Sequence, residues 1–266
     1  KFDSNFIKNN LADQNIFLIS FPLKNFKLMK FFIFLTISFI SFFPGTLSAQ
    51  DEEPFIIFPE LPDQANKLEA FIPEGWSLRD SSSGLLDDDS LLDFALVIQL
   101  DDTLLLSKIL GDDTMTEEYR PRILIILSKM AEDNFRKSCQ SNQAILSENE
   151  GGKFGDPFTG LLIKDHELSF SFKGGAAVEW GLAYHFRYSD GGFYLFQALS
   201  NGKGQGETYQ YEYNLMTGEL KIEIRDEKDP KENLKYSKIR TASDQPRLED
   251  FLPLSYVVDE SEGIIF

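Results

Sequence analysis

Between Glu167 and Arg225, aromatic and aliphatic side chains recur at every second position, and that period restricts the chain more than any other feature. In "ELSFSFKG" Leu168, Phe170 and Phe172 share one side; in "AYHFRYSDGGFYLFQ" Tyr184, Phe186 and Tyr188 do, ahead of an Asp190-Gly191-Gly192 turn. "YQYEYNLMTGELKIEIR" repeats the plan: Tyr209, Tyr211, Tyr213 and Leu215 lie on one side, a Met216-Thr217-Gly218 turn follows, and Leu220, Ile222 and Ile224 return. A side-chain period of two belongs to an extended strand. Apolar residues on one side with charged ones opposite predict antiparallel strands with one wet face. No stretch after residue 130 has a 3.6 period, so the expected fold class is mainly β, built from antiparallel sheets.

Upstream, "FALVIQL" and "RILIILSK" are β-branched apolar runs of strand length, separated by the acidic connector "DDTLLLSKILGDDTMTEEYRP", which reads as helical or irregular. The expected organisation is a first β unit over 71–142 and a second over 143–266 that includes a charged C-terminal tail. Both halves follow a loose plan of Gly-rich turn, strand, turn, strand, which leaves an internal repeat open. Residues 50–70, with Pro54, Pro59 and Pro62, read as an acidic extended lead-in.

The first fifty residues differ in kind. From Met29, "MKFFIFLTISFISFFPGTLSAQ" has a Lys start, an apolar run from Phe31 to Phe43, a Pro-Gly break and a Leu47-Ser48-Ala49 exit, the order of a secretory signal peptide over 29–49. Its apolar run is short for a span, which takes about 20 residues, so no membrane span is expected once it is removed. Residues 1–28 precede that start and read as an upstream or leader segment. Gln50 follows the exit site where a lipoprotein would have Cys, so the expected location is secreted or periplasmic without a lipid anchor. Cys139 is the single cysteine and reads as an isolated thiol in a strand. Removal of 1–49 takes five Lys and two Asp, and shifts the formal charge from -17 to -20. So acidic a surface repels phosphate backbones, and nucleic acid is not an expected partner.

One stretch invites an ion. "GLLDDDSLLDFALVIQ", Gly84 to Gln99, places carboxylates just before a strand. In a calcium loop of the D-x-[DN]-x-D-G-x-x-D kind, alternate side chains turn inward around a hard cation and Gly permits the bend. Laid on this sequence, the inward positions are Leu85, Asp87, Asp89 and Asp93, with Ser90 in the glycine position and Asp88 pointing outward. The candidate calcium ligands are therefore Asp87, Asp89 and Asp93. Loss of the first carboxylate puts the affinity in the weak extracellular range, about 0.1–1 mM. A solvated acidic turn is the competing reading.

These residues also resemble a known pattern. "SGLLDDDSLLDFALVIQ" is similar to the signature of FG-GAP or VCBS-type repeats, "GDLNGDGxxDLVV" followed by an apolar strand, and "RILIILSKMAEDNFRKS" resembles the next hairpin of such a blade. Beyond it, "GGKFGDPFTGLLIKDHELSFSFKGGAAVEWGLAYHFRYSDGGFYLFQ" resembles the second half of uncharacterised secreted bacterial proteins carrying one such motif. The resemblance covers roughly residues 72–225. It implies a propeller-blade-like or small sandwich fold and no assigned activity. With one motif in view, a closed seven-bladed propeller is not expected.

The remaining candidates have plainer accounts. "GGKFGDPF", Gly151 to Phe158, lacks the Gly-Lys-[Ser/Thr] ending of a phosphate loop and reads as a turn that Phe154 and Phe158 pin to the core. His166 falls in a hairpin turn and His185 opposite an aromatic face; neither has the spacing of a zinc site. Trp180 reads as core, with a sugar-stacking surface as the alternative. No G-x-S-x-G elbow is present. The function expected is a non-catalytic binding or scaffold module for a protein or glycan ligand. The alternative is an exported hydrolase acting on glycan or peptide through a carboxylate pair.

Overall fold

The computed structural model of the protein describes residues 56–110, 113–130, 134–204, 206–240 and 244–266. The leader 1–28, the signal peptide 29–49 and residues 50–55 of the lead-in lie outside the described residues. Residues Phe58–Val258 with Ile265–Phe266 form one unit. In the short stretch 259–264, Asp259 Oδ1 accepts the Ser261 hydroxyl at 2.6 Å and its amide at 3.0 Å, which closes a turn.

The fold is mainly β, with antiparallel sheets and, among the described residues, no closed barrel or propeller. The chain forms β1 (Gln64–Ala65), β2 (Trp76–Gly84), β3 (Asp93–Leu100), β4 (Leu104–Leu110), β5 (Asp113–Tyr119), β6 (Arg122–Met130) and β7 (Asn134–Ser141). It continues as β8 (Phe158–Lys164), β9 (Glu167–Gly175), β10 (Glu179–Ser189), β11 (Gly192–Gly204), β12 (Glu207–Asn214), β13 (Glu219–Asp226) and β14 (Leu234–Ile239). A five-stranded sheet has the order β1-β7-β6-β3-β2, and a seven-stranded sheet is a meander from β8 to β14.

The apolar runs of β3 and β6 lie side by side, Leu96 opposite Ile125 and Ile98 opposite Ile123. Val97 and Ile98 in β3 and Ile123 to Leu127 in β6 are buried without a break, which is why the strands read as continuous apolar runs without alternation. Leu96, Ile98, Ile123, Ile125 and Leu127 join Leu61 and Phe71 in one cluster. The lead-in expected to be extended is therefore engaged from Phe58 onward: Leu61 is buried, β1 pairs with β7, and Leu68–Phe71 form a 3-10 turn that drives Phe71 into the core. The prolines punctuate this stretch, yet its apolar side chains still reach the sheet. The connector left between helix and irregular chain is a β-hairpin, β4 with β5.

In the seven-stranded sheet the predicted alternation is realised except at the end of β10, where Tyr188 is exposed. Phe170 is surrounded by Phe172, Tyr184, Phe186 and Phe251 at ring-centroid distances of 5.8, 5.8, 5.5 and 6.4 Å. Phe251 comes from the charged tail, which lies along this face: the Leu248 amide donates to the Phe193 carbonyl at 2.9 Å, and Leu248 is buried. Two apolar side chains in a polar segment give little periodic signal, so the tail's role as cover was not legible beforehand.

The edges β2 and β8 meet through side chains. Asp80 Oδ2 accepts the Leu161 amide at 3.0 Å and Ser82 Oγ accepts the Ile163 amide at 2.9 Å. Polar side chains thus satisfy edge amides that a backbone ladder would otherwise take. Gly84 permits the approach, since a Cβ there would stand 2.6 Å from Ile163 Cγ2.

Candidate functional site

The acidic loop folds on its own backbone. Asp87 Oδ1 accepts the Asp89 amide at 3.0 Å, Asp89 Oδ1 accepts the Leu91 amide at 2.7 Å, and Asp93 Oδ2 accepts the Leu86 amide at 2.9 Å. These are the local carboxylate-to-amide bonds by which Asp shapes turns. Asp93 is 1% exposed at the start of β3. Burial pushes its carboxyl up against the pull of the Leu86 amide, and the charges of Asp87 and Asp89 push it further. Among the described residues, no group of three or more His, Cys, Asp or Glu side chains is arranged to hold a metal. His166, at φ 61 in the β8–β9 turn, places Nδ1 3.0 Å from the Asp87 carbonyl and anchors the loop from outside.

"GGKFGDPF" is a structural joint. Asp156 accepts both Nη atoms of Arg122, at 2.8 and 2.6 Å, and Arg79 Nη2 at 3.1 Å, while its Oδ1 also takes the Phe158 amide at 3.0 Å. A Cβ on Gly151 would sit 2.0 Å from the Gly155 carbonyl oxygen, so the loop closes only around glycine. Phe158 is buried as expected. Phe154 is not: it is 50% exposed, and Lys173 Nζ stands 5.9 Å from its ring centre.

Both histidines have partners from other parts of the chain. His185 Nδ1 lies 3.6 Å from Glu167 Oε2, its ring meets Phe196 edge-on at 6.0 Å, and Arg187 lies 4.0 Å over the same Phe196 ring. Burial lowers the His185 pKa, with Glu167 raising it and Arg187 lowering it. Among the described residues no hydroxyl hydrogen-bonds to it. Cys139 is buried in β7, and burial pushes its thiol far up, so it is a poor nucleophile. Trp180 is 5% exposed and belongs to the core.

The feature that sequence reasoning missed lies on the opposite, wet face of the seven-stranded sheet. A trough of about 600 Å³ crosses β9 to β13. Its floor is low because Gly181 and Ala183, neighbours on the wet side of β10, offer almost no side chain. Its walls are long polar residues of adjoining strands, among them Lys173, Asn201, Gln210 and Glu223. The ladders put Lys173 beside Gly181, Gly181 beside Asn201, Asn201 beside Gln210 and Gln210 beside Glu223, a single row across five strands. The alternation of "EWGLAYHF" held a signal for it, since the positions facing away from Leu182 and Tyr184 are the smallest in the strand.

The charges of the trough are largely matched. Lys203 Nζ lies 2.6 Å from Glu227 Oε1, and Glu223 pairs with Arg225 and, at 3.3 Å, with Lys235. Hydrogen bonds from Arg225 and then Lys235 hold the Glu223 carboxyl below the usual range. The side-chain amides of Asn201 and Gln210 have no hydrogen-bond partner among the described residues. Compared with family models, curated proteins and solved structures, the chain matches none.

Proposed function

We propose that the chain is a secreted or periplasmic, non-catalytic binding module whose two sheets form a scaffold and whose ligand occupies the trough of the seven-stranded sheet. One observation supports this above the rest: the trough combines a low floor with unengaged hydrogen-bonding side chains, as a pre-formed binding site requires. Its Glu223 is shifted away from what a glycosidase's general acid needs, because that acid requires a raised pKa and Arg225 and Lys235 lower this one. Among the described residues no helix is long and apolar enough to cross a membrane.

The test against the hydrolase alternative is turnover of chromogenic glycosides, dye-linked polysaccharides and labelled peptides. The expected rate equals the protein-free rate. A hydrolytic rate that Glu223→Gln lowers by the roughly 10²–10⁴-fold that a general acid supplies would replace this reading with an enzyme.

A weak structural calcium at Asp87, Asp89 and Asp93 is not required by the proposal, since each carboxylate already accepts a backbone amide. Thermal unfolding in EDTA and in millimolar calcium is expected to give the same midpoint. A rise in calcium that Asp89→Ala removes would make the loop an ion site after all.

A further inference from the structure

We infer that the trough takes a neutral, hydroxyl-rich ligand, a short oligosaccharide; the inference rests on the reading of the trough as a binding site. The row from Lys173 through Gly181, Asn201 and Gln210 to Glu223 spans four strand spacings, about 19 Å at roughly 4.8 Å each. One strand in from its Lys173 end, the side chain is missing at Gly181. The neighbouring row supplies Ala183 and Leu199, both half-buried, so the floor is a narrow apolar strip flanked by polar groups. A sugar ring has that profile, with C–H faces above and below and hydroxyls around the rim.

The polar groups select by charge. Lys203 is held by Glu227, and Glu223 by Arg225 and Lys235, and the two further lining charges, Lys173 and Glu179, are of opposite sign, so little net charge is left to attract an ion. A polyanion also meets the field of a chain with net charge -17, and a polycation is drawn to acidic surface everywhere, with no preference for this place. Among the uncharged lining groups are the amides of Asn201 and Gln210, adjacent on β11 and β12. An amide side chain both donates and accepts, as a hydroxyl does, so the pair can meet neighbouring hydroxyls in either sense. An extended peptide would look for free backbone amides, and the trough lies on a sheet face where neighbouring strands already take them.

The test is calorimetric titration of the protein with neutral gluco-, manno- and galacto-hexasaccharides, with hexagalacturonate and an oligolysine peptide as charged comparisons. At least one neutral sugar is expected to bind. Asn201→Ala and Gln210→Ala should each weaken it by about three- to tenfold, the worth of one hydrogen bond. Ala183→Trp should abolish binding with an unchanged unfolding midpoint. Should that variant fail to fold, Gly181→Ala serves, because its Cβ comes 2.9 Å from Asn201 Oδ1 and must displace that amide. No neutral sugar bound, or binding indifferent to these variants, overturns the inference. If a charged probe binds and Ala183→Trp abolishes that, the ligand class is wrong and the trough remains a binding site. If no probe is lost on filling the trough, both readings fail.

Discussion

Asp156→Ala is expected to destabilise the protein by about 3–5 kcal/mol, the cost of stranding one member of a buried ion pair. At roughly 2–4 °C per kcal/mol for a domain of this size, the thermal midpoint should fall by about 6–20 °C. The Arg122 side chain is 0% exposed. Its Nε donates to Gln99 Oε1 at 2.8 Å and its Nη1 to the Leu146 carbonyl at 2.8 Å, and only Asp156 answers its charge among these partners. With the carboxylate gone, the fully buried guanidinium loses the one group that answers its charge. Arg122→Met should cost less, because the Asp156 side chain is 27% exposed and keeps Arg79 at 3.1 Å. The double variant should cost less than the sum of the two, which a double-mutant cycle in urea measures directly. A loss below about 1 kcal/mol for Asp156→Ala is the value of a surface pair and would remove the joint from this account.

The same carboxylate sets an acid limit. Burial pushes the Asp156 carboxyl up, but hydrogen bonds from Arg122, the Phe158 amide and Arg79, together with the Arg122 charge, outweigh it and hold the pKa below the ordinary value of 3.8. A folded-state pKa below the unfolded one gives stability that is present above the unfolded value and lost as pH falls through the folded value. The loss therefore falls below about pH 4. Asp156→Asn should flatten the decline of unfolding free energy between about pH 5 and pH 2. An unchanged slope would mean that other carboxylates carry the acid sensitivity.

What could be read beforehand follows from how local each signal is. The one-sided strands from β9 to β13 were legible because every second residue reports its own environment, as at Phe170 and Tyr211. The acidic loop was legible as a feature but not as an arrangement. The sequence places Asp87, Asp89 and Asp93 at ligand spacing, and whether their oxygens turn to an ion or to the amides of Asp89, Leu91 and Leu86 depends on backbone torsions. Arg122 gave no sign of its role, since its partner lies 34 positions away and an arginine at a strand start ordinarily faces water. The trough was hidden for a related reason. It consists of small residues at Gly181 and Ala183 and of the register that sets them between Lys173, Ser171, Asn201 and Leu199, and register is a property of paired strands.

Trp180→Ala is expected to cost about 3–5 kcal/mol, the range for a large core aromatic cut to a methyl. The corresponding fall in midpoint is again about 6–20 °C. The indole fits because both cross-strand neighbours are glycine, Gly174 on β9 and Gly202 on β11. A Cβ on Gly174 would lie 2.3 Å from Trp180 Cζ2, and one on Gly202 would lie 2.2 Å from Tyr209 Oη. Two aromatic rings thus lie down over two glycines on the core side of the sheet that has the trough on its other side. The indole therefore lies over the two glycines on the core side, and it keeps β9, β10 and β11 in register beneath the trough. For that reason Trp180→Phe, which keeps a ring over Gly174, should bind the sugar as the parent does while losing part of its stability. The opposite pattern, a midpoint within about 2 °C of the parent and sugar binding gone, would make Trp180 a stacking platform and move the ligand to the other face of the sheet.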